Sequence, residues 1–213
     1  MNITPVTVPK IIKRLFPNFI WDISTQDKEL FLTFDDGPTP IITDWVLDCL
    51  KDFNAKATFF CIGKNIELYP KIYYRILKEN HGIGNHTFNH LNGWKTKTSK
   101  YIKDIEDIRA STNSVRSYLF RPPYGRITPR QSKLLRNNNF KIIMWSVLSL
   151  DWDESVSNTR CLDYVIKNSK SGSIIVFHDS EKAVRNMKYA LPAMLDYFSK
   201  KGYCFKRIPE SIQ

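Results

Sequence analysis

The chain has 213 residues, 42% of them hydrophobic and 25% charged, a soluble globular composition for one domain with a sizeable core. Its 32 Lys and Arg outweigh 21 Asp and Glu, giving a net charge of +11. The basic residues are spread along the chain without an RNA- or DNA-binding motif, so they read as a solvated surface and a nucleic-acid partner is excluded.

The first nine residues contain two prolines and no uninterrupted apolar stretch, so no secretory signal is expected. No apolar run reaches about 18 residues, so no transmembrane helix is expected either. On this ground the expected location is cytoplasmic, with peripheral association with the cell envelope as the alternative. The segment Lys10-Ile11-Ile12-Lys13-Arg14-Leu15-Phe16 is basic and apolar together, and Phe19, Ile20 and Trp21 follow. It reads as a short helix whose aromatic neighbours cover one end of the domain, making 1–28 a covering segment. Weak contact with an anionic membrane surface is the second reading.

Leu30–Phe34 is the first strand, and Asp35-Asp36-Gly37-Pro38 ends it. Further strands are expected at Ala57–Phe60, Gly82–Asn85, Tyr118–Phe120, Lys141–Trp145, Ser173–Phe177 and Tyr203–Lys206. Helical patterns fall between them at Thr43–Phe53, Pro70–Asn80, Ser99–Val115, Pro129–Asn138, Asn158–Asn168 and Pro192–Lys201. In the last, Pro192 is read as a first-turn residue and Gly202 as the stop. Strands alternating with helices across short gaps imply an α/β fold with a parallel sheet. Seven strands suggest a closed or nearly closed β/α barrel, with an open doubly wound sheet as the alternative. No GxGxxG or P-loop pattern is present. The residues 1–213 read as a single domain without repeats or linkers.

Adjacent carboxylates at a strand end repel unless a cation, a proton or an arginine offsets them. The residues after the other strands supply such partners. His86-Thr87-Phe88-Asn89-His90 follows the third strand, and its two histidines meet at one point if the segment makes a helical turn. Arg121-Pro122-Pro123-Tyr124-Gly125 follows the fourth, Asp151-Trp152 lies beyond the fifth, and His178 follows the sixth. Each signal alone is weak: spaced histidines are common on solvated helices, and His178 could be a satisfied core residue. Together, two imidazoles and one carboxylate make a three-ligand metal site with open positions, leaving the second aspartate free to act as a base.

These blocks resemble the five ordered motifs of polysaccharide deacetylases, the NodB-homology domain of carbohydrate esterase family 4. The resemblance runs from about Leu30 to the C-terminus, and TFDDGP followed by HxxxH is its most specific part. It implies a distorted (β/α) barrel. It also implies that Asp36, His86 and His90 bind one divalent metal, zinc by expectation, with Co²⁺, Ni²⁺ or Mn²⁺ as alternatives. By the same resemblance Asp35 is the general base, paired with Arg121. The Tyr124 backbone N–H helps hold the oxyanion, and His178 is the general acid oriented by Asp151. Pro123, Tyr124, Trp152 and Val176 contact substrate, the last two lining a pocket for the acetyl methyl. Two positions depart from the family pattern: Leu148 stands where an aspartate is common, and Val176 where leucine is usual.

The implied activity is metal-dependent removal of acetyl groups from N-acetylated amino sugars of a peptidoglycan- or chitin-like glycan, by a monomer. An O-acetyl esterase of the xylan type and a glycan-binding pseudoenzyme are the rivals. Other residues take plainer readings: His81 as a loop residue, Trp94 and Trp145 as core aromatics rather than sugar-stacking ones, Asp153 and Asp179 as solvated or supporting. Cys49, Cys61, Cys161 and Cys204 show neither CxxC nor zinc-site spacing and read as reduced thiols packed as small hydrophobes, with one disulfide as the alternative.

Overall fold

Short apolar runs joined by amphipathic helices can pair all their strands only side by side in one direction, each crossover laying a helix on the sheet. The computed structural model, which describes residues 5–111 and 117–212, has this arrangement. Helix α1 (Lys10–Leu15) and strand β1 (Phe19–Ile20) come first. Then follow β2 (Glu29–Asp35), α2 (Ile42–Asp52), β3 (Ala57–Cys61), α3 (Gly63–Leu68), α4 (Pro70–Lys78) and β4 (Gly82–Asn85). The second half contains α5 (Thr98–Ser111), β5 (Leu119–Phe120), α6 (Pro129–Asn137), β6 (Lys141–Ile143) and β7 (Val147–Leu148). It ends with α7 (Asn158–Asn168), β8 (Ile174–His178), α8 (Val184–Lys200) and β9 (Cys204–Phe205).

The strands lie in the order β1-β6-β5-β4-β3-β2-β8-β7, and every ladder is parallel. The sheet curls into a distorted half-barrel. Among the described residues its outermost strands, β1 and β7, share no ladder. Single bridges from the N-terminal segment cross to the far side instead, Thr7 to Val147 and Asp22 to Ser173. The pair Glu29↔Cys204 and Leu30↔Phe205 adds β9 beside the start of β2.

Side chains alternate across the sheet. Phe31, Phe60, Leu119, Ile143 and Ile174 point inward and, with Ile208, fill the base of the half-barrel. Leu30, Leu32, Phe34, Phe59 and Phe177 point outward into the layer shared with the helices. There the Phe34 ring stacks between Phe59 at 5.1 Å and Phe177 at 6.2 Å. Each such burial contributes about 1.5–3 kcal/mol, which makes this layer the main anchor for the strand ends. Helix α6 is fixed at its start by Pro129 and a capping box, in which Thr128 and Gln131 satisfy each other's backbone N–H groups.

The fold departs from the sequence expectation at several points. Strands β1 and β7 are two residues long, and α3 has six; none carries enough periodicity to be seen. Pro192 lies inside α8, which begins at Val184, so it is not a first-turn residue. Buried Met187, Ala190, Leu191, Met194 and Leu195 hold the helix together across the missing N–H. Gly202, at φ 77, does end that helix, as expected. The stretch 112–115 of the expected Ser99–Val115 helix lies outside the described residues. His81 is buried, accepts the Ala57 N–H on Nδ1 at 3.2 Å and meets the Phe59 ring edge-on; burial pushes its pKa down to about 4. All four cysteines are free, but Cys204 is exposed because β9 turns its neighbour Phe205 inward. Among the described residues no helix is long and apolar enough to cross a membrane.

Candidate active site

The residues singled out in the sequence gather at the C-terminal ends of the strands, where loops shape a site on a rigid sheet. Asp35 is the last residue of β2, in register with His178 of β8. His86 directly follows β4, Arg121 directly follows β5, and Asp151 lies three residues past β7.

The two adjacent aspartates part company. Asp35 accepts a hydrogen bond from Arg121 Nη1 at 2.7 Å. The guanidinium is fully buried over the Phe60 ring, 4.2 Å from its centroid, and donates as well to Thr33 Oγ1, Ile143 O and Met144 O. A buried cation keeps its charge only with such partners. Burial lowers the Arg121 pKa, and the charge and hydrogen bond of Asp35 act against that shift.

Asp36 turns the other way, because its left-handed backbone, φ 80, rotates the side chain off the strand face. Its Oδ1 lies 3.2 Å from His90 Nε2 and 3.6 Å from His86 Nε2. One ligand atom from each of the three residues lies within 4.8 Å of the others. His86 Nδ1 is 2.8 Å from the Arg121 carbonyl, which can only accept, so Nδ1 carries the hydrogen and Nε2 presents its lone pair to Asp36. Burial, only partly offset by Asp35, pushes the His86 pKa down to about 4 and keeps the ring neutral. For Asp36, burial works upward, but the hydrogen bond from His90, followed by the charge of His178, holds the carboxyl far below the usual range. An ionised carboxylate beside a neutral, oriented imidazole is a donor set that fits a divalent cation.

The histidines do not converge through a helical turn. Residues 86–90 form an irregular loop in which Thr87 (φ 62) and His90 (φ 55) are left-handed. Asn85 Oδ1 accepts the Thr87 N–H, and the buried Asp104 of α5 accepts from both the backbone and the side-chain amide of Asn89. Of nine non-glycine residues with positive φ among those described, Asp36, Thr87, His90, Tyr124 and Leu150 all lie in loops of this site. Such strain persists only where the surroundings overdetermine it.

On the opposite wall, Asp151 holds His178 twice. Its Oδ2 accepts the His178 backbone N–H at 2.7 Å, and its Oδ1 lies 2.9 Å from ring Nδ1. Burial lowers the His178 pKa, but the charge and hydrogen bond of Asp151, helped by Asp36 and Asp35, push it up to about 9. The Trp152 ring meets the His178 ring edge-on at 4.6 Å. Val176 is buried two residues before His178 on the same face of β8, beside Leu148 of β7. Pro123 is buried, while Tyr124 is exposed with its ring 4.7 Å from that of His90.

Sequence reasoning passed over Asn186 and Thr43, since single polar residues on helices carry no pattern, and offered Asp179 as either solvated or supporting. Asn186 of α8 donates to the carbonyls of Asp151, Asp153 and Val156. Asp179 is fully buried rather than solvated and accepts from Thr43 Oγ1 at 2.5 Å and from the Gly37 N–H at 3.1 Å. Burial raises its pKa to about 7; the hydrogen bonds of Thr43 and Gly37 work against that, and the charge of Asp36 adds to it. A Cβ on Gly37 would lie 1.9 Å from Asp179 Oδ2. Gly37→Ala is therefore expected to cost about 1–3 kcal/mol of stability, read from the urea midpoint. An unchanged midpoint would show that the contact relaxes freely.

Comparison with known proteins gives a consistent answer. A family model described as Polysaccharide deacetylase matches residues 22–143. A Bacillus cereus protein named peptidoglycan-N-acetylglucosamine deacetylase is 38% identical over 189 residues, covering 87% of this chain and 68% of the relative. A second protein of that name from Bacillus cereus is 35% identical over 201 residues, covering 91% and 92%. A chitooligosaccharide deacetylase of Azorhizobium caulinodans is 31% identical over 206 residues, covering 88% and 96%. A crystal structure of a peptidoglycan N-acetylglucosamine deacetylase superposes with a TM-score of 0.85 at 33% identity, over 99% of this chain and 98% of the other.

Proposed function

The chain belongs to the polysaccharide deacetylase family, and from that premise we propose that it is a metal-dependent hydrolase removing N-acetyl groups from amino sugars of a peptidoglycan-like glycan. The names of its relatives support the substrate, since peptidoglycan and chitooligosaccharides share an acetylated amino sugar. One observation carries the mechanism: adjacent carboxylates face different partners, Asp36 the two histidines and Asp35 a buried arginine.

Asp36, His86 and His90 would hold one divalent cation, and two imidazoles with one carboxylate favour zinc. A cation there supplies Lewis acidity toward the acetyl carbonyl and brings the pKa of water down toward about 7. Asp35 takes the proton of the attacking water. Its Oδ1 is committed to Arg121, which leaves Oδ2 for that proton. Arg121 fixes the angle at which the carboxylate waits. The Tyr124 backbone N–H, set by φ 60, stabilises the oxyanion of the tetrahedral intermediate. As the C–N bond breaks, His178 delivers a proton from Nε2 to the departing amine, its Nδ1–H held by Asp151. Trp152 and Val176 line the pocket for the acetyl methyl, and Pro123 contacts the substrate.

Protein treated with a chelator is expected to release no acetate from peptidoglycan fragments or chitooligosaccharides. Added Zn²⁺ is expected to restore release, with one free amine per acetate. It should also raise Tm, because an ion bound only by the folded state adds about 2.7 kcal/mol at a hundredfold excess over its Kd. Acetate release that survives chelation, or turnover of acetyl esters alone, overturns the reading.

A further inference from the structure

Trp94 and Arg126 lie outside the machinery described above but on the two loops that carry it. Trp94 comes four residues after His90, and Arg126 two after Tyr124. Four residues of extended chain span at most about 14 Å, so Trp94 stays close to whatever the metal-ligand loop engages. The loops touch at successive rungs. At the first, the His90 and Tyr124 rings pack together. At the next, the Arg126 guanidinium sits 5.3 Å over the Trp94 ring, and the indole N–H donates to the Ile127 carbonyl at 3.2 Å.

The second rung is rigidly built. The Asn92 side chain accepts the Trp94 backbone N–H, and the Gln131 amide donates to the carbonyls of Gly93 and Thr96. Gly93 sits so close that a Cβ there would come 2.4 Å from the Arg126 carbonyl. Yet Trp94 remains 65% exposed, not packed as a core aromatic. Its one polar atom is already satisfied, so its open face is purely apolar and fixed in orientation. No carboxylate of the described residues pairs with Arg126, whose guanidinium rests on the indole instead. A fixed aromatic face beside an unspent cation suits a ligand that is ring-shaped and anionic at once.

We propose that Trp94 and Arg126 form a subsite for the sugar next to the one being deacetylated, Trp94 stacking on its ring and Arg126 pairing with a carboxylate substituent. This rests on the glycan-deacetylase reading and narrows it to glycans that carry carboxylate-bearing sugars beside acetamido sugars. Trp94→Ala and Arg126→Gln leave the metal ligands, the base and the acid untouched.

The test is calorimetric titration of zinc-loaded wild type, Trp94→Ala, Trp94→Phe and Arg126→Gln with two probes, alongside acetate release. One probe is neutral chitotetraose; the other is a peptidoglycan tetrasaccharide retaining its carboxylates. Trp94→Ala is expected to weaken both about tenfold and Trp94→Phe to recover most of that loss. Arg126→Gln is expected to weaken the anionic probe about tenfold and the neutral one less than twofold. Equal effects of Arg126→Gln on both probes, or none, overturn the subsite, as does Trp94→Ala binding like wild type. If the variants shift binding as expected but wild type releases no acetate, the subsite stands and the deacetylase reading falls. If acetate is released and kcat/KM is the same in all four proteins, the reverse holds. If wild type binds neither probe, both fall.

Discussion

Asp35→Asn is expected to lower kcat by about a thousandfold while one metal ion per chain stays bound, since a positioned base contributes about 10²–10⁴ in rate. The geometry separates the two effects. The candidate metal ligands are Asp36, His86 and His90, and the change leaves all three in place. Asparagine keeps the size of the side chain and an oxygen to accept from Arg121 Nη1, so the buried hydrogen bond survives. What disappears is the negative charge, and with it both the proton acceptor and the counter-ion of a fully buried guanidinium. Removing one partner of a buried pair outright costs about 3–5 kcal/mol; keeping the hydrogen bond should hold the loss to the low end of that range. The urea midpoint therefore falls together with kcat, while metal content measured by atomic absorption stays at the wild-type level. Wild-type turnover in this variant would remove Asp35 as the base.

The strand ends were legible in the sequence because each combines a short apolar run with a break in pattern, and a parallel sheet then puts all such ends on one side. What the sequence could not show was the means of convergence. The HxxxH spacing suggests a helical turn, whereas the two imidazoles meet through left-handed residues at 87 and 90 that spacing alone cannot distinguish. The partners of the loops escaped for a related reason. Asp104, Thr43 and Asn186 act by burial and hydrogen bonding across the fold, as in Thr43 to Asp179, 136 residues apart. Nothing local marks them. Pro192 misled because proline favours a first turn, but tertiary packing of α8 outweighed its local cost. The outer layers carry β1 and β7 only because longer neighbours on β6 and β8 offer them ladders, so two residues suffice where periodicity has nothing to detect.

Asp151→Asn is expected to cost about 10²–10³ in kcat and to move the alkaline limb of the rate profile to lower pH. Asp151 accepts from two donors, the His178 backbone N–H and its ring Nδ1–H. Asparagine has one oxygen, so one donor then faces an amide hydrogen, and the ring loses either its tautomer or its orientation. The charge is lost as well. Burial alone lowers the His178 pKa, and it stands near 9 chiefly because Asp151 outweighs that burial. Without Asp151 the ring should titrate near or below its ordinary value of about 6.5 and be neutral when the amine needs its proton. A cation at Asp36 opposes protonation, so the wild-type limb in turnover falls below 9, yet above that of the variant. The same linkage governs stability in chelated protein. The folded pKa lies above the unfolded one, so His178 contributes its full stabilisation below about pH 6.5 and loses it as pH rises through about 9. Wild-type urea midpoints should fall across the whole window, whereas those of Asp151→Asn should keep only the fall through about pH 7 that buried Asp179 causes in both proteins. Parallel pH profiles for the two proteins would show that Asp151 supports the fold without charging His178, and would remove His178 as the acid.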